Sequence, residues 1–194
     1  MAFTLVAPCE YREEIRKSRF LALAAPVESA QQALAFIDQH RDSSASHNCW
    51  AFKCGAQYRF SDDGEPGGTA GRPILAAIEG QVHDQVVVLV IRWYGGIPLG
   101  TGGLARAYGG SAAKCLQGGE RVELVTRIGA RCHVPFAELE RVRARLADWQ
   151  ALLEAEHFDA EGAELHLALP QEQLQAAAEQ LANLGRGQIR LTWD

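Results

Sequence analysis

The chain has no long hydrophobic run. Its longest uncharged apolar stretch, Val86 to Ile91, falls far short of the ~20 residues that a membrane helix needs. The opening MAFTLVAPCEYREE turns acidic too soon for a secretory signal, so no membrane association and a cytoplasmic address are expected. There is also no CxxC pair. The five cysteines (Cys9, Cys49, Cys54, Cys115 and Cys132) are odd in number, which fits a reducing compartment better than a disulfide framework. Cys49 and Cys54 fall in a strand-like stretch at an odd separation, which points them to opposite faces and argues against a shared zinc site. The nucleotide fingerprints GxxxxGK[ST] and GxGxxG are absent. A nucleophile–base–orienter set is absent too, because Ser46 and His47 are neighbours on a strand and point apart. No catalytic residue, metal or cofactor is therefore expected.

Nor is there an excess of basic charge. The formal net charge is −5, and it is unevenly spread. Residues 1–127 hold 13 Lys and Arg against 13 Asp and Glu, whereas residues 128–194 hold 6 against 11, so 6 − 11 = −5 arises wholly from the second segment. A generally basic nucleic-acid binder is excluded by this balance; a local basic patch is not.

What is present is a chain with 47% hydrophobic and 22% charged residues, the composition of a folded α+β protein. Its punctuation divides it in two, 1–127 and 128–194. In the second segment Arg127 to Val134 predicts a strand, and Pro135 opens a helix in which Phe136, Leu139, Val142, Leu146 and Trp149 recur at near-helical spacing. A strand at Leu152 to Phe158 and an alternating one at Leu165 to Leu169 follow. Pro170 starts a second helix, closed by Gly185 and Gly187, and Ile189 to Trp193 is the last strand. This βαββαβ order predicts a ferredoxin-like split βαβ domain. In the first segment strands are expected at Phe20 to Ala24, Cys49 to Cys54 and Tyr58 to Phe60. Gln85 to Tyr94 is expected as an apolar strand buried on both faces. Helices are expected around Ala30 to Ile37, Thr69 to Glu79 and Thr101 to Leu116, and a final strand at Val122 to Val125.

The first segment holds 15 of the 19 glycines, mostly in or just after two loops. One is Ser61 to Gly71, the other Tyr94 to Gly103. In the second, Gly95, Gly96 and Gly100 suit tight turns, Thr101 is placed to cap the next helix, and Gly102 and Gly103 leave its first-turn N–H groups open to phosphate or carboxylate. Arg92 and Arg106 flank this anion site and can add charge-assisted hydrogen bonds. Turn-making alone is the competing explanation. Gly109-Gly110, inside the same helix, needs an offset such as close helix–sheet packing. In the first loop Asp62, Asp63 and Glu65 can either cap the following helix or hold a divalent cation, and capping is the favoured reading. His47, Thr69 and Arg72 are secondary candidates, His47 being read first as a packing residue.

The strings FSDDGEPGGTAGRP (Phe60 to Pro73) and VIRWYGGIPLGTGGLARAYGG (Val90 to Gly110), together with SHNCWA (Ser46 to Ala51), resemble the signature blocks of the YigZ/IMPACT family. The resemblance implies a first domain with the fold shared by a small-subunit ribosomal protein and domain IV of elongation factor G, and a second domain similar to domain V of that factor. It implies a role in regulation of translation, since eukaryotic members oppose activation of an initiation-factor kinase through an N-terminal extension that differs from this chain. The implied partners are the ribosome, RNA or a translation factor. Where the family carries a basic or histidine residue before His47, this chain has Ser46, which argues against chemistry by a histidine pair. A metal-dependent hydrolase or phosphotransferase built on Asp62, Asp63, Glu65 and His47, and a pure interaction scaffold, are the alternatives.

Overall fold

The structure, a computed structural model, describes residues 2–193. They form two compact units, 1–124 and 125–194. The first is built on a five-stranded antiparallel sheet of β2 (Cys9–Ile15), β3 (Ser18–Pro26), β4 (His47–Cys54), β5 (Gln57–Ser61) and β6 (Val86–Trp93), in the order β2-β3-β6-β4-β5. β6 lies at its centre and is buried from Val86 to Arg92 on both faces, which is why its sequence runs apolar without alternation. One face packs on α2 (Gly71–Gly80) and α3 (Gly100–Gly118) through Phe20, Val88, Val90, Ile74 and Tyr108. The other packs on α1 (Ala30–His40) through Ala33, Ile37, Phe52 and Leu89. A two-stranded ribbon of β1 (Ala2–Leu5) and β7 (Arg121–Leu124) completes the unit. Sequence reasoning had assigned neither β1 nor β2. β2 reads CEYREEI, an edge strand whose outward charges dilute the apolar signal while Cys9, Tyr11, Glu13 and Ile15 line the half-buried face.

The second unit contains β8 (Arg127–Pro135), α4 (Phe136–Arg143), β9 (Leu152–Phe158), β10 (Gly162–Pro170), α5 (Leu174–Leu184) and β11 (Thr192–Trp193). Its sheet order is β11-β8-β10-β9, antiparallel throughout. Leu139, Val142, Leu174, Ala177 and Leu181 of the helices share one core with Cys132, Val134, Leu165 and Leu167 of the strands. Four expectations need correction here. α4 ends at Arg143 rather than reaching Trp149, because Arg145 N–H and Leu146 N–H donate three residues back to Val142 and Arg143. These tighter turns carry Trp149 inward, where its indole N–H donates to Gln180 Oε1 (2.9 Å). Phe136 is 52% exposed and stacks on Phe158 instead of facing the core. Pro170 is followed by a 3₁₀ turn, Gln171–Gln173, before α5 begins, and the last strand pairs only over Thr192–Trp193, although Ile189 and Leu191 are buried.

Candidate functional site

Both glycine-rich loops leave the same end of the five-stranded sheet. The register sets this end, since Arg92 stands opposite Phe20 on one side and His47 on the other, while Ser18 opens β3. Arg92 is 5% exposed, with its guanidinium turned to protein groups. Its Nη1 donates to Glu65 Oε1 (2.6 Å) and its Nη2 to Ser18 Oγ (3.3 Å). The Tyr108 hydroxyl of α3 donates to the same Glu65 oxygen (2.6 Å). His47 Nδ1 donates to the Asp63 carbonyl (2.8 Å), and its Nε2 stands 3.7 Å from Glu65 Oε1. Arg92 and Glu65 therefore neutralise each other inside the loop scaffold. Arg92 was expected to flank the anion loop; the structure ties it to Glu65 instead.

The acidic loop is spent on its own backbone. Asp62 accepts the N–H groups of Gly68 (2.8 Å), Ala70 (3.0 Å) and Gly71 (2.8 Å), and so caps the start of α2 from a distance in sequence. Burial works upward on its carboxyl, but these three donors hold it below the usual carboxylate range. Asp63 accepts the Asn48 N–H (2.6 Å). Glu65 is neither cap nor cation ligand but the counter-charge of Arg92. Thr69 is buried, with its hydroxyl donated to the Pro66 carbonyl (2.6 Å), and Arg72 is exposed on the first turn of α2.

The second loop is different. α3 begins at Gly100 with Leu99 in the cap position, and no side chain caps it. Thr101 is thus not the N-cap, because the helix begins at Gly100, whose φ of 72° marks the turn into it, and Thr101 lies inside the first turn. Thr101, Gly102 and Arg106 are exposed there, Gly103 partly so, and the Arg106 guanidinium folds back over Gly102. The β2–β3 hairpin supplies two cations that sequence reasoning missed. Its turn is Arg16-Lys17, both at positive φ (46° and 65°), where asparagine and glycine are the usual residues. Gly95 packs so tightly on this turn that a Cβ would lie 2.0 Å from the Lys17 carbonyl, its N–H donates to Ser18 Oγ (3.2 Å), and Arg16 Nη1 reaches the Pro98 carbonyl (3.4 Å). The alternation of Cys9 to Ile15, mirrored by Phe20 to Ala24 across an Arg-Lys pair, was the available signal.

Between this hairpin and α3 runs a groove of about 230 Å³ bearing Arg16, Arg106 and Lys114. Lys114 is matched by Glu13 (2.7 Å), which also accepts from Ser111; Arg16 and Arg106 have no carboxylate partner among the described residues. Gly109 is explained by helix–helix rather than helix–sheet packing, since a Cβ would lie 3.3 Å from the Pro73 carbonyl of α2. Gly110 has nothing within 4 Å of an added Cβ and instead lines the groove.

With this geometry in view, comparison with known proteins places residues 16–116 in the class described as the Impact N-terminal domain, and residues 132–188 in a domain of unknown function, DUF1949. A Thermus thermophilus protein, "IMPACT family member in pol 5'region", is 50% identical over 151 residues, covering 78% of this chain and 80% of that protein. The Escherichia coli IMPACT family member YigZ is 36% identical over 194 residues, covering 95% and 94%. A crystal structure of a hypothetical protein superposes with a TM-score of 0.70 at 34% identity, covering 98% of this chain and 95% of its own. The chain belongs to the IMPACT family.

Proposed function

We propose that this chain is a binding protein, not an enzyme, with a role in regulation of translation, and that it engages RNA phosphate on the translation apparatus through the start of α3. The observation that carries this is the uncapped first turn of a 19-residue helix, overhung by Arg106 and neighboured by the Arg16-Lys17 turn. Backbone N–H groups and the positive end of a helix dipole favour an anion there. The hydrolase reading loses support because Asp62, Asp63 and Glu65 are committed to backbone donors and to Arg92. The strand order β11-β8-β10-β9 supports a ferredoxin-like assignment for the second unit, and family membership supports the ribosomal-protein and elongation-factor fold for the first. No helix among the described residues is long and apolar enough to cross a membrane.

The test is an amide NMR titration with a short RNA and with inorganic phosphate. Signals of Gly100 to Leu104 are expected to shift, and the affinity to fall as salt rises. Arg106→Ala and Arg16→Ala should each weaken RNA binding and lower the salt slope by about one. Spectra unchanged at millimolar phosphate and RNA would overturn the proposal.

A further inference from the structure

We propose that Cys9 and Cys115 form a redox-active dithiol that hydrogen peroxide closes to a disulfide, pinning the edge strand β2 to the C-terminal half of α3. The two residues stand 106 positions apart, yet their Sγ atoms lie 3.9 Å from one another. Among the described residues no other two thiols come within hydrogen-bonding reach. Cys9 Sγ is 3.4 Å from the Cys115 carbonyl, and Cys115 Sγ is 3.6 Å from the Cys9 carbonyl and 3.5 Å from that of Ala22. The sulfurs are thus held beside one another by the packing of β2 on α3, and the proposed bond closes the remaining gap between them. Space for the movement is kept by Gly119, where a Cβ would stand 2.8 Å from Cys9 Sγ and 2.7 Å from the Leu5 side chain.

The two thiols are not equivalent. Cys9 is half-buried, whereas Cys115 is 1% exposed. The hydrogen bond from Cys115 lowers the Cys9 thiol below its ordinary value, and the same contact raises Cys115. Burial pushes Cys49 and Cys132 up to about 12, and raises Cys54 with help from Asp84. Cys9 is therefore the nucleophile and Cys115 the resolving thiol, because the thiolate is the reactive form. In the first step the Cys9 thiolate attacks one peroxide oxygen, the O–O bond breaks, and the leaving hydroxide takes up the thiol proton as water. In the second, Cys115 sulfur attacks the Cys9 sulfenic sulfur, the S–O bond breaks, and the departing oxygen leaves as a second water with the Cys115 proton. Two thiols and one peroxide give one disulfide and two waters.

The consequence falls on the seam between β2 and α3, along which the groove of Arg16 and Arg106 also runs. β2 is an edge strand paired only with β3, so a bond to α3 fixes it on its second side. Cross-linking positions so far apart removes much of the freedom of the unfolded chain.

The experiment treats the full chain with a small excess of hydrogen peroxide, then counts thiols and maps the peptides. The expected result is reversible loss of two of the five thiols, a Cys9–Cys115 linked peptide, and a melting temperature raised by roughly 5–15 °C. Cys115→Ser should instead leave Cys9 as a sulfenic acid trapped by dimedone. Retention of all five thiols, linkage of any other pair or between chains, or over-oxidation of Cys9 with Cys115 still reduced would each overturn the proposal. The mapping of the unmodified sequence decides the matter even where a variant fails to fold.

Discussion

A guanidinium and a carboxylate that are each more than nine-tenths buried have to satisfy one another, since neither retains enough water to stay charged alone. Arg92 is 5% exposed and Glu65 8%; Tyr108 donates to Glu65 and Ser18 accepts from Arg92, while Arg92 Nε is buried without a partner. The arrangement stacks further on aromatics, with the Arg92 guanidinium 5.8 Å from the Phe20 ring and Phe20 edge-on to Tyr108. Removing one partner of such a pair strands the other. Glu65→Leu is therefore expected to cost about 3–5 kcal/mol in urea unfolding. Arg106→Ala, an exposed change, should stay within about 0.5 kcal/mol. The reverse order would make Arg106 the structural residue and return Arg92 to the ligand side. This distinction was not legible in the sequence. Both arginines border the same loop, and only the long-range register that sets Arg92 against Phe20 and His47 shows which of them turns inward.

The ribbon of β1 and β7 behaves as a cover over His83. Phe3 bridges to His83, Phe3 N–H donates to Val82, Asp84 N–H donates back to Phe3, and Arg121 of β7 stacks on the Phe3 ring. Both His83 ring nitrogens are buried without a hydrogen-bond partner. Burial, and then the charge of Arg121, lower its pKa below the ordinary 6.5. The folded chain thus holds His83 neutral, while the unfolded chain takes up a proton near pH ~6.5. Stability from this residue is complete above that pH and is lost as pH falls through the interval down to the lowered folded value. Urea midpoints should accordingly drop between pH 7.5 and 5.5, and His83→Leu should flatten that part of the slope; equal slopes in both proteins would refute the idea. Asp62, held low by its three amide donors, contributes its own loss only at more acidic pH. Elements of this kind mark the limit of pattern reading. β6, α1, β9 and both glycine loops announced themselves through composition, because a strand buried on two faces and a glycine against another backbone leave few residue choices. The four-residue strand β1 and the charged edge strand β2 did not, since β1 is too short to show a period and every second side chain of β2 answers to solvent.

At the scale of the whole molecule, the acidity and the cations are allocated to different units. Residues 1–127 hold balanced charge and place Arg16 and Arg106, which have no carboxylate partner among the described residues, beside the start of α3, whereas residues 128–194 carry the net −5. Anion affinity is therefore expected of the first unit alone. Each unit also has its own core, and Trp149, 1% exposed and hydrogen-bonded to Gln180 of α5, reports on the second. A 70-residue fold of this size is marginal, with a net stability of roughly 3–5 kcal/mol. It has no disulfide to help it, so its stability rests on helices and strands closing over Leu165, Leu167, Val142 and Leu181. Residues 125–194 produced alone with Trp193→Phe, so that Trp149 is the single reporter, are expected to unfold cooperatively in urea, with blue-shifted Trp149 emission in the native state, and to bind no RNA. Residues 1–124 produced alone should retain the RNA-induced shifts of Gly100 to Leu104. A 125–194 fragment with red-shifted emission and no transition would show that the second core forms only in the intact chain, and RNA binding carried by that fragment would move the functional surface out of the glycine loops altogether.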